Sequence, residues 1–242
     1  MKYFNGAFVC FSVVFFSALQ AWADNLKIYQ PRVEKGELAA EANLNYDFDH
    51  RKDKDNYFSQ VVGFEYGVND WWQVELSGEI EKENGKSDKL TNYKWENIFT
   101  PWKPGENWMD VGFYVELEKA AHSGDPDNFE TKLLLEKDVN DFMNTANLKL
   151  EHEFGPHHDT SWGSGIALQS IYRYDEKFEP GFEYYGDFGT FHDKLSFNSQ
   201  SHQFGPVAQG KIDHVKYDTG LLLGLSDAAA DATIKLNLEY EF

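Results

Sequence analysis

The last twelve residues of the chain alternate strictly between apolar and polar side chains. Every even position from 232 to 242 is apolar, and every odd position from Thr233 to Glu241 is polar. Because successive side chains of a β-strand point to opposite faces, this pattern predicts a strand with one apolar and one polar face. The sequence then stops on Phe242, an aromatic residue of the apolar face.

The same period of two recurs along the chain and predicts eleven further strands, beginning with residues 37–49. The tenth strand, residues 204–211, has the weakest signal because Pro206 cannot donate a hydrogen bond to a ladder. Residues 190–203 before it are the longest predicted loop. Residues 24–36, which include Pro31, are predicted to be an irregular lead-in to the first strand.

The predicted connections fall into two sets. Those after even-numbered strands are mostly short turns, whereas those after odd-numbered strands are generally longer and polar. Antiparallel neighbours joined in sequence would place all short turns at one end and all long loops at the other. The sequence therefore predicts an all-β fold, a closed antiparallel up-and-down barrel of about twelve strands.

The terminal strand resembles that of bacterial outer-membrane β-barrel proteins. In that class a C-terminal Phe, with apolar residues two, four, six and eight places before it, is the assembly signal. The matching positions are Ile234, Leu236, Leu238, Tyr240 and Phe242. The resemblance implies a porin-like transmembrane barrel of a Gram-negative outer membrane, with this strand closing against the first. It also implies contact with outer-membrane lipid, lipopolysaccharide and the barrel-assembly machinery.

The N-terminus agrees with export. Lys2 precedes an apolar run from Ala7 to Leu19, and Ala21-Trp22-Ala23 has the form of a cleavage site. The alternative of a membrane anchor is disfavoured because spanning a bilayer takes about twenty apolar residues. We predict a cleaved signal peptide at 1–23 and a single barrel domain at 24–242.

Charge and cysteine usage narrow the function classes. The chain has 22 basic and 41 acidic residues, a net charge of −19, which argues against nucleic acid as a partner. Its one cysteine, Cys10, lies in the predicted leader, so the mature chain would have no disulfide or thiolate site. No second segment stays apolar for eighteen residues, which excludes a helical membrane protein.

Alternation alone leaves open which face meets lipid, and a soluble periplasmic β-protein would place the apolar face inside. Two features favour a membrane barrel. Glycines such as Gly63 and Gly165 lie among the acids of the polar face, as a lumen of limited room requires. Aromatic residues, including Trp71, Trp108 and Trp162, cluster near strand ends, where the aromatic girdles of barrels lie.

The sequence contains no recognisable catalytic or cofactor motif. There is no G-x-S-x-G elbow, H-E-x-x-H pair or P-loop, and we predict no enzyme activity, cofactor or metal. Adjacent His157 and His158 are more often solvated than metal-bound. Glu75 and Glu79 lie about 13 Å apart on one strand, which is too far for a retaining glycosidase pair.

The polar face is the remaining candidate site, and its ionisable residues are the candidate pore lining. They are Glu41, Asp47, Glu65, Glu75, Glu79, Lys94, Glu96, Glu116, Glu130, Lys132, Lys149, Glu151, Arg173, Glu183, Asp187, Lys216, Lys235 and Glu239.

An acid-rich lumen favours cations, so the leading hypothesis is a passive or weakly cation-selective channel for small solutes. Twelve strands lie between filled eight-stranded barrels and open sixteen-stranded porins. A lumen plugged by side chains and cross-strand ion pairs is therefore an equal alternative. The alternative functions are an outer-membrane enzyme acting on lipid or lipopolysaccharide, through a Ser/His pair from different strands, and a structural or adhesive barrel.

Overall fold

The computed structural model describes residues 26–155 and 161–242. The predicted leader at 1–23 and the His157–His158 pair lie outside the described residues. The strands are β1 (Leu38–Phe48), β2 (Tyr57–Asn69), β3 (Trp72–Lys82), β4 (Lys89–Phe99), β5 (Asp110–Ala120), β6 (Asp127–Val139), β7 (Phe142–Phe154), β8 (Trp162–Tyr172), β9 (Glu179–Thr190), β10 (Ser201–Ile212), β11 (Val215–Gly224) and β12 (Ala232–Glu241). The described residues contain no helix with the length and apolarity needed to cross a membrane.

These strands form one closed barrel in which each strand pairs antiparallel with its neighbours in sequence. Closure comes from β1 and β12, which pair in register from Ala39 opposite Glu241 to Phe48 opposite Ala232. The predicted twelve-stranded antiparallel barrel is therefore confirmed. Closure leaves no edge strand with unpaired backbone groups, as a structure in lipid requires.

The two ends of the barrel differ as predicted. Connections after even-numbered strands include the two-residue turns Asn140–Asp141 and Asp213–His214, and we call this end the turn rim. Asn140 and Asp213 have φ values of 55° and 54°, the left-handed conformation that tight hairpins need. Connections after odd-numbered strands form the opposite end, the loop rim. Two turn-rim connections, 100–109 and 173–178, are longer than a minimal turn.

The outer wall is apolar and the inner wall is mostly polar. Phe64 and Leu76 point outward and are 60% and 64% exposed, whereas their strand neighbours Glu65 and Glu75 point inward and are buried. Such alternation places aromatic and aliphatic side chains where lipid would lie, and carboxylates where they meet one another and water.

The tenth strand is longer than predicted, because it runs from Ser201 to Ile212 and passes through Pro206. Pro206 aligns with Phe182 of β9, and pairing with β11 resumes at Val207. The preceding residue makes this possible: a Cβ atom at Gly205 would lie 1.9 Å from a carbonyl oxygen of β11. The predicted loop 190–203 is accordingly shorter, and it contains a 3-10 turn at Phe197–Ser199.

Residues 26–36, which we call the inner segment, are irregular as predicted, but the part from Leu26 to Pro31 lies inside the barrel. The segment enters at the turn rim, where the amide of Gly36 donates to the Gly67 carbonyl at 2.7 Å. Leu26, Tyr29 and Pro31 are all buried. The sequence analysis did not anticipate this position, because a segment without periodicity gives no information about the surface it contacts.

Candidate functional site in the barrel lumen

The strand-borne members of the predicted lining set lie on the inner face of the barrel. The most buried are Glu41, Glu65, Glu75, Glu79, Glu96, Glu116, Glu130, Lys132, Lys149, Glu183 and Lys235. Arg173 differs from the set. It follows the end of β8 at the turn rim, where its guanidinium contacts Asp138 at 2.9 Å, so it does not join the interior cluster.

The inner cations of the strands are paired with inner carboxylates. Lys94 contacts Glu79 at 3.1 Å and Glu118 at 3.3 Å. Three further lysines pair in the same way, in the contacts Lys132–Glu130 at 2.7 Å, Lys149–Glu151 at 3.0 Å and Lys216–Glu239 at 2.7 Å. Cross-strand and same-strand ion pairs thus occupy much of the inner wall. The sequence analysis expects such pairs in its alternative of a lumen plugged by side chains.

Lys235 of β12 is the most enclosed of these cations. Its side chain is fully buried, with Glu183 of β9 at 2.5 Å and Asp218 of β11 at 2.7 Å. A buried ammonium requires such compensation, because desolvation of an isolated charge costs several kcal/mol. Its Nζ also lies 3.4 Å from the carbonyl oxygen of Leu26, so the wall contacts the inner segment here.

Wall side chains satisfy the backbone of the inner segment. The amide of Tyr29 donates to Asn147 Oδ1 at 2.8 Å, and Asn147 Nδ2 donates to the Tyr29 carbonyl at 2.8 Å. Asn237 Nδ2 donates to the Leu26 carbonyl at 3.1 Å. Buried backbone groups need partners, and here amides on the polar face replace a neighbouring strand.

Apolar contacts hold the same segment at two places. Tyr29 packs with Ile98, Tyr114 and Leu134 on the inner wall. Leu26 belongs to a second buried cluster, formed with Met143, Ile171, Val207 and Leu222. These inner apolar residues were absent from the predicted lining, although the runs 133–135 and 221–223 contain three consecutive leucines. Such runs break the alternation, and their central residues face inward.

The inner segment also brings two cations to the acid-rich wall. Lys27 Nζ lies 2.5 Å from Glu41 and 3.7 Å from Glu75, and Arg32 contacts Glu136. Glu41, Glu65 and Glu75, which we call the acid cage, have carboxylate oxygens within 4.8 Å of one another. Among the described residues, Lys27 is the only cation in ion-pair contact with the cage.

The phenols and Glu96 complete the middle of the lumen. The Tyr29 hydroxyl donates to Glu96 Oε2 at 2.9 Å, and Ser77 donates to the other oxygen of Glu96 at 3.1 Å. The Tyr114 hydroxyl, which has one proton, lies 2.7 Å from Glu116 Oε2 and 2.9 Å from Glu96 Oε2. Hydroxyl groups therefore solvate these buried carboxylates in place of water. Of these groups, only Glu96 and Glu116 belong to the predicted lining set. Tyr29, Tyr114 and Ser77 were missed, because that set contained only charged residues.

The loop rim has its own charged cluster. Arg51 holds Asp49 and donates to the carbonyl oxygens of Asp227 and Ala229 at 2.7 Å each, joining two loops. Burial raises the pKa of the Asp49 carboxyl, but hydrogen bonds from Arg51 outweigh it and hold the pKa below its usual range. His50 Nδ1 lies 2.9 Å from Asp231, and with Asp49 these groups could surround a metal ion.

A Ser/His contact also occurs at the loop rim. Ser161 Oγ lies 2.8 Å from His192 Nδ1, and the two residues come from different loops. Both side chains lie near solvent, and no carboxylate of the described residues hydrogen-bonds the His192 ring. The pair has the distance of a nucleophile and its base, but the described residues supply no third group to orient the base as in known triads.

Solved structures similar to this barrel are bacterial outer-membrane proteins. The outer membrane channel from Pseudomonas putida F1 has a TM-score of 0.64 and 10% identity, over 87% of this chain and 97% of that chain. The KdgM porin has a TM-score of 0.55 and 12% identity, over 84% and 99%. The Acinetobacter baumannii outer membrane protein Omp33 has a TM-score of 0.50 and 13% identity, over 86% and 99%.

At these identities the similarity concerns the fold alone. The fold is that of bacterial outer-membrane β-barrel proteins, as the terminal strand predicts. No protein-family profile matches the chain, and no curated protein sequence matches it.

Proposed function

We propose that this protein is an outer-membrane channel for small solutes that favours cations and is occupied at rest by its inner segment. The observation that carries the proposal is the combination of an acid-rich inner wall with a segment that no strand pairing holds there. Fixed carboxylates beside a low-dielectric wall concentrate cations and exclude anions. Two of the similar solved structures are named as a channel and a porin, which is consistent with this function.

Conduction through this barrel requires the inner segment to move. Its anchors are side-chain hydrogen bonds, ion pairs and two apolar clusters, all of which can break without opening the barrel ladder. Local opening of such a segment costs less than unfolding of the strands around it. We therefore expect brief openings of low probability rather than a steady porin current.

Single-channel recording in planar bilayers tests the proposal. The wild-type protein should conduct, prefer K⁺ over Cl⁻, and lose part of this preference at high salt. The triple variant Glu75→Gln/Glu79→Gln/Glu116→Gln should shift the reversal potential toward zero under a KCl gradient. The matched control changes three exposed carboxylates outside the strands, Asp53→Asn, Asp70→Asn and Glu83→Gln, and should keep the preference.

Two outcomes would overturn the proposal. Absence of current, both from the wild type and from a variant whose inner segment is loosened, would favour an enzyme or a structural barrel. Current with anion preference would mean that the inner acids do not set selectivity.

The Ser161–His192 contact favours a second candidate, an enzyme that acts on lipid or lipopolysaccharide at the loop rim. It predicts slow hydrolysis of a phospholipid or lipopolysaccharide substrate in mixed micelles, and complete loss of turnover in Ser161→Ala. Ser164→Ala on β8 is the matched control. Equal rates for the wild type and Ser161→Ala would remove this candidate.

A further inference from the structure

We infer that the acid cage is a binding site for primary ammonium groups, and that Lys27 is its tethered occupant. The ligand class would be small organic cations that carry a primary ammonium. This inference deepens the proposed function, since such cations would be the solutes admitted, and it rests on that function for its physiological meaning. The binding site itself can be tested without measuring conduction.

The cage is built by three neighbouring strands. Glu41 comes from β1, Glu65 from β2 and Glu75 from β3, and all three are buried. Gly63 provides the room, because a Cβ atom there would lie 2.7 Å from Glu75 Oε1. The strand positions therefore bring three carboxylates together at a point where a side chain would otherwise stand between them.

Among the described residues, the barrel strands supply no cation in ion-pair contact with this cage. The inner lysines of the strands are engaged with other carboxylates, as in the Lys94–Glu79 and Lys235–Glu183 contacts. Lys27 alone, among the described residues, provides an ammonium here, at 2.5 Å from Glu41 and 3.7 Å from Glu75. If the inner segment moved, three buried carboxylates would be left without a positive partner, a state that strongly attracts an external cation.

A buried amide side chain borders the cage and has an acceptor atom without a described partner. Asn43, adjacent to Glu41 on the inner face of β1, donates its amide hydrogen to Glu41 Oε1, so its side chain reaches the cage. Its own Oδ1 has no hydrogen-bond partner among the described residues, although the residue is 98% buried. Asn237, directly opposite Asn43 on β12, also has a buried Oδ1 without a described partner.

An ammonium group has three N–H donors, whereas a quaternary cation has none. The three carboxylates supply more acceptor oxygens than Lys27 Nζ uses in its contacts with Glu41 and Glu75. The site therefore matches a group that combines positive charge with several N–H donors. A primary ammonium has this combination, and Lys27 already places one there.

Chemical rescue tests the site in the full-length protein. Lys27→Ala removes the occupant and leaves a space that n-propylammonium matches in length. We expect the variant to lose its folded gel band at a lower temperature than the wild type, and millimolar n-propylammonium to restore most of that loss. The wild type should not respond, because its site is filled. Lys52→Ala, an exposed loop lysine, is the control for loss of a charge.

The ligand series identifies the chemistry. Neutral n-propanol and tetramethylammonium should fail to rescue Lys27→Ala, since one lacks charge and the other lacks N–H donors. Lys27→Ala/Glu41→Gln/Glu75→Gln should lose the response to n-propylammonium. If Lys27→Ala does not fold, Lys27→Met keeps the apolar stem and vacates only the position of Nζ, so it is tested by isothermal titration with ammonium ion.

Rescue by Ca²⁺ without rescue by n-propylammonium would identify a metal site and overturn the inference. Equal rescue by tetramethylammonium would reduce it to nonspecific screening, and absence of any rescue would also overturn it. These readouts do not depend on current. A protein that binds n-propylammonium but never conducts would contradict the proposed channel, whereas a conducting protein without rescue would contradict only the ligand class.

Discussion

The carboxamide of Asn147 satisfies both backbone polar groups of Tyr29, with one hydrogen bond of 2.8 Å in each direction. Asn147 lies on β7, whose own backbone pairs with β6 and β8. A single side chain of the wall therefore satisfies the backbone of the inner segment at Tyr29, as a neighbouring strand satisfies the backbone of each barrel strand.

Asn147→Ala should loosen the inner segment. Each buried group left unsatisfied costs about 1–3 kcal/mol, so opening of the segment should become at least tenfold more frequent. A cysteine at Ile28 would report this through its labelling rate with a membrane-impermeant thiol reagent, because the chain's one native cysteine, Cys10, lies in the predicted leader. Asn144→Ala, on the outer face of the same strand, is the control. Unchanged labelling in Asn147→Ala would contradict the anchoring role.

Gly67→Ala should displace the inner segment where it enters the barrel. A Cβ atom at this position would lie 1.8 Å from the Glu34 carbonyl oxygen, a contact that neither backbone can accept. Gly78→Ala is the matched control, since its Cβ would meet only ordinary contacts, the nearest at 3.5 Å. We expect higher single-channel open probability in Gly67→Ala alone. Equal open probability in both variants would show that the segment does not limit conduction.

Lys235→Met should destabilise the barrel strongly. It leaves Glu183 and Asp218 without their shared cation, and loss of one member of a buried ion pair costs roughly 3–5 kcal/mol. Lys235→Met/Glu183→Gln should recover part of this loss. Urea unfolding in lipid vesicles measures the effect, and Lys216→Met, at a more exposed ion pair, should cost less. A similar loss of unfolding free energy in Lys235→Met and Lys216→Met would contradict the argument that burial makes the Lys235 ion pairs more costly to break.

Asp49→Asn should release the loop that Arg51 ties to residues 227–229, and trypsin should then cleave after Arg51 faster at pH 7.5. The folded-state pKa of Asp49 lies below its unfolded value. The Asp49–Arg51 interaction therefore gives its full stabilisation above the ordinary pKa of about 4, and this stabilisation is lost as pH falls through the lowered value. Hydrogen exchange of this loop in the wild type, corrected for intrinsic rates, should rise only in that acidic window. Asp53→Asn should have no effect on either measurement.

Phe242→Ser should impair insertion several-fold while leaving export intact. The ring is 71% exposed on the outer wall and contacts Tyr240 at a centroid distance of 5.2 Å, so the finished barrel depends little on it. The folded fraction of the variant should therefore unfold near the wild-type urea concentration. Cell fractionation and unboiled gels measure both effects, with Phe154→Ser as an exposed aromatic control. Wild-type insertion would refute the assembly role.

The sequence by itself determined the strands, their faces and the closed order of the barrel. A period of two is a local property, and each strand pairs with its neighbours in sequence, so the pattern from Leu38 to Phe48 already specifies which side chains of β1 face inward. The inward position of Glu41, Glu75 and Lys235 follows from the same rule, because they share the polar face of their strands.

Only the tertiary structure decided what fills the lumen. Tyr29 and Asn147 are 118 positions apart, and alternation specifies a face but not the residue across the barrel. Leu134 and Leu222 are each the middle residue of three consecutive leucines. In such a run a period of two does not show whether the middle leucine packs inside the barrel or belongs to the apolar outer face. Their partners belong to a segment without periodicity, whose position depends on contacts that exist only after the twelve strands have closed around it.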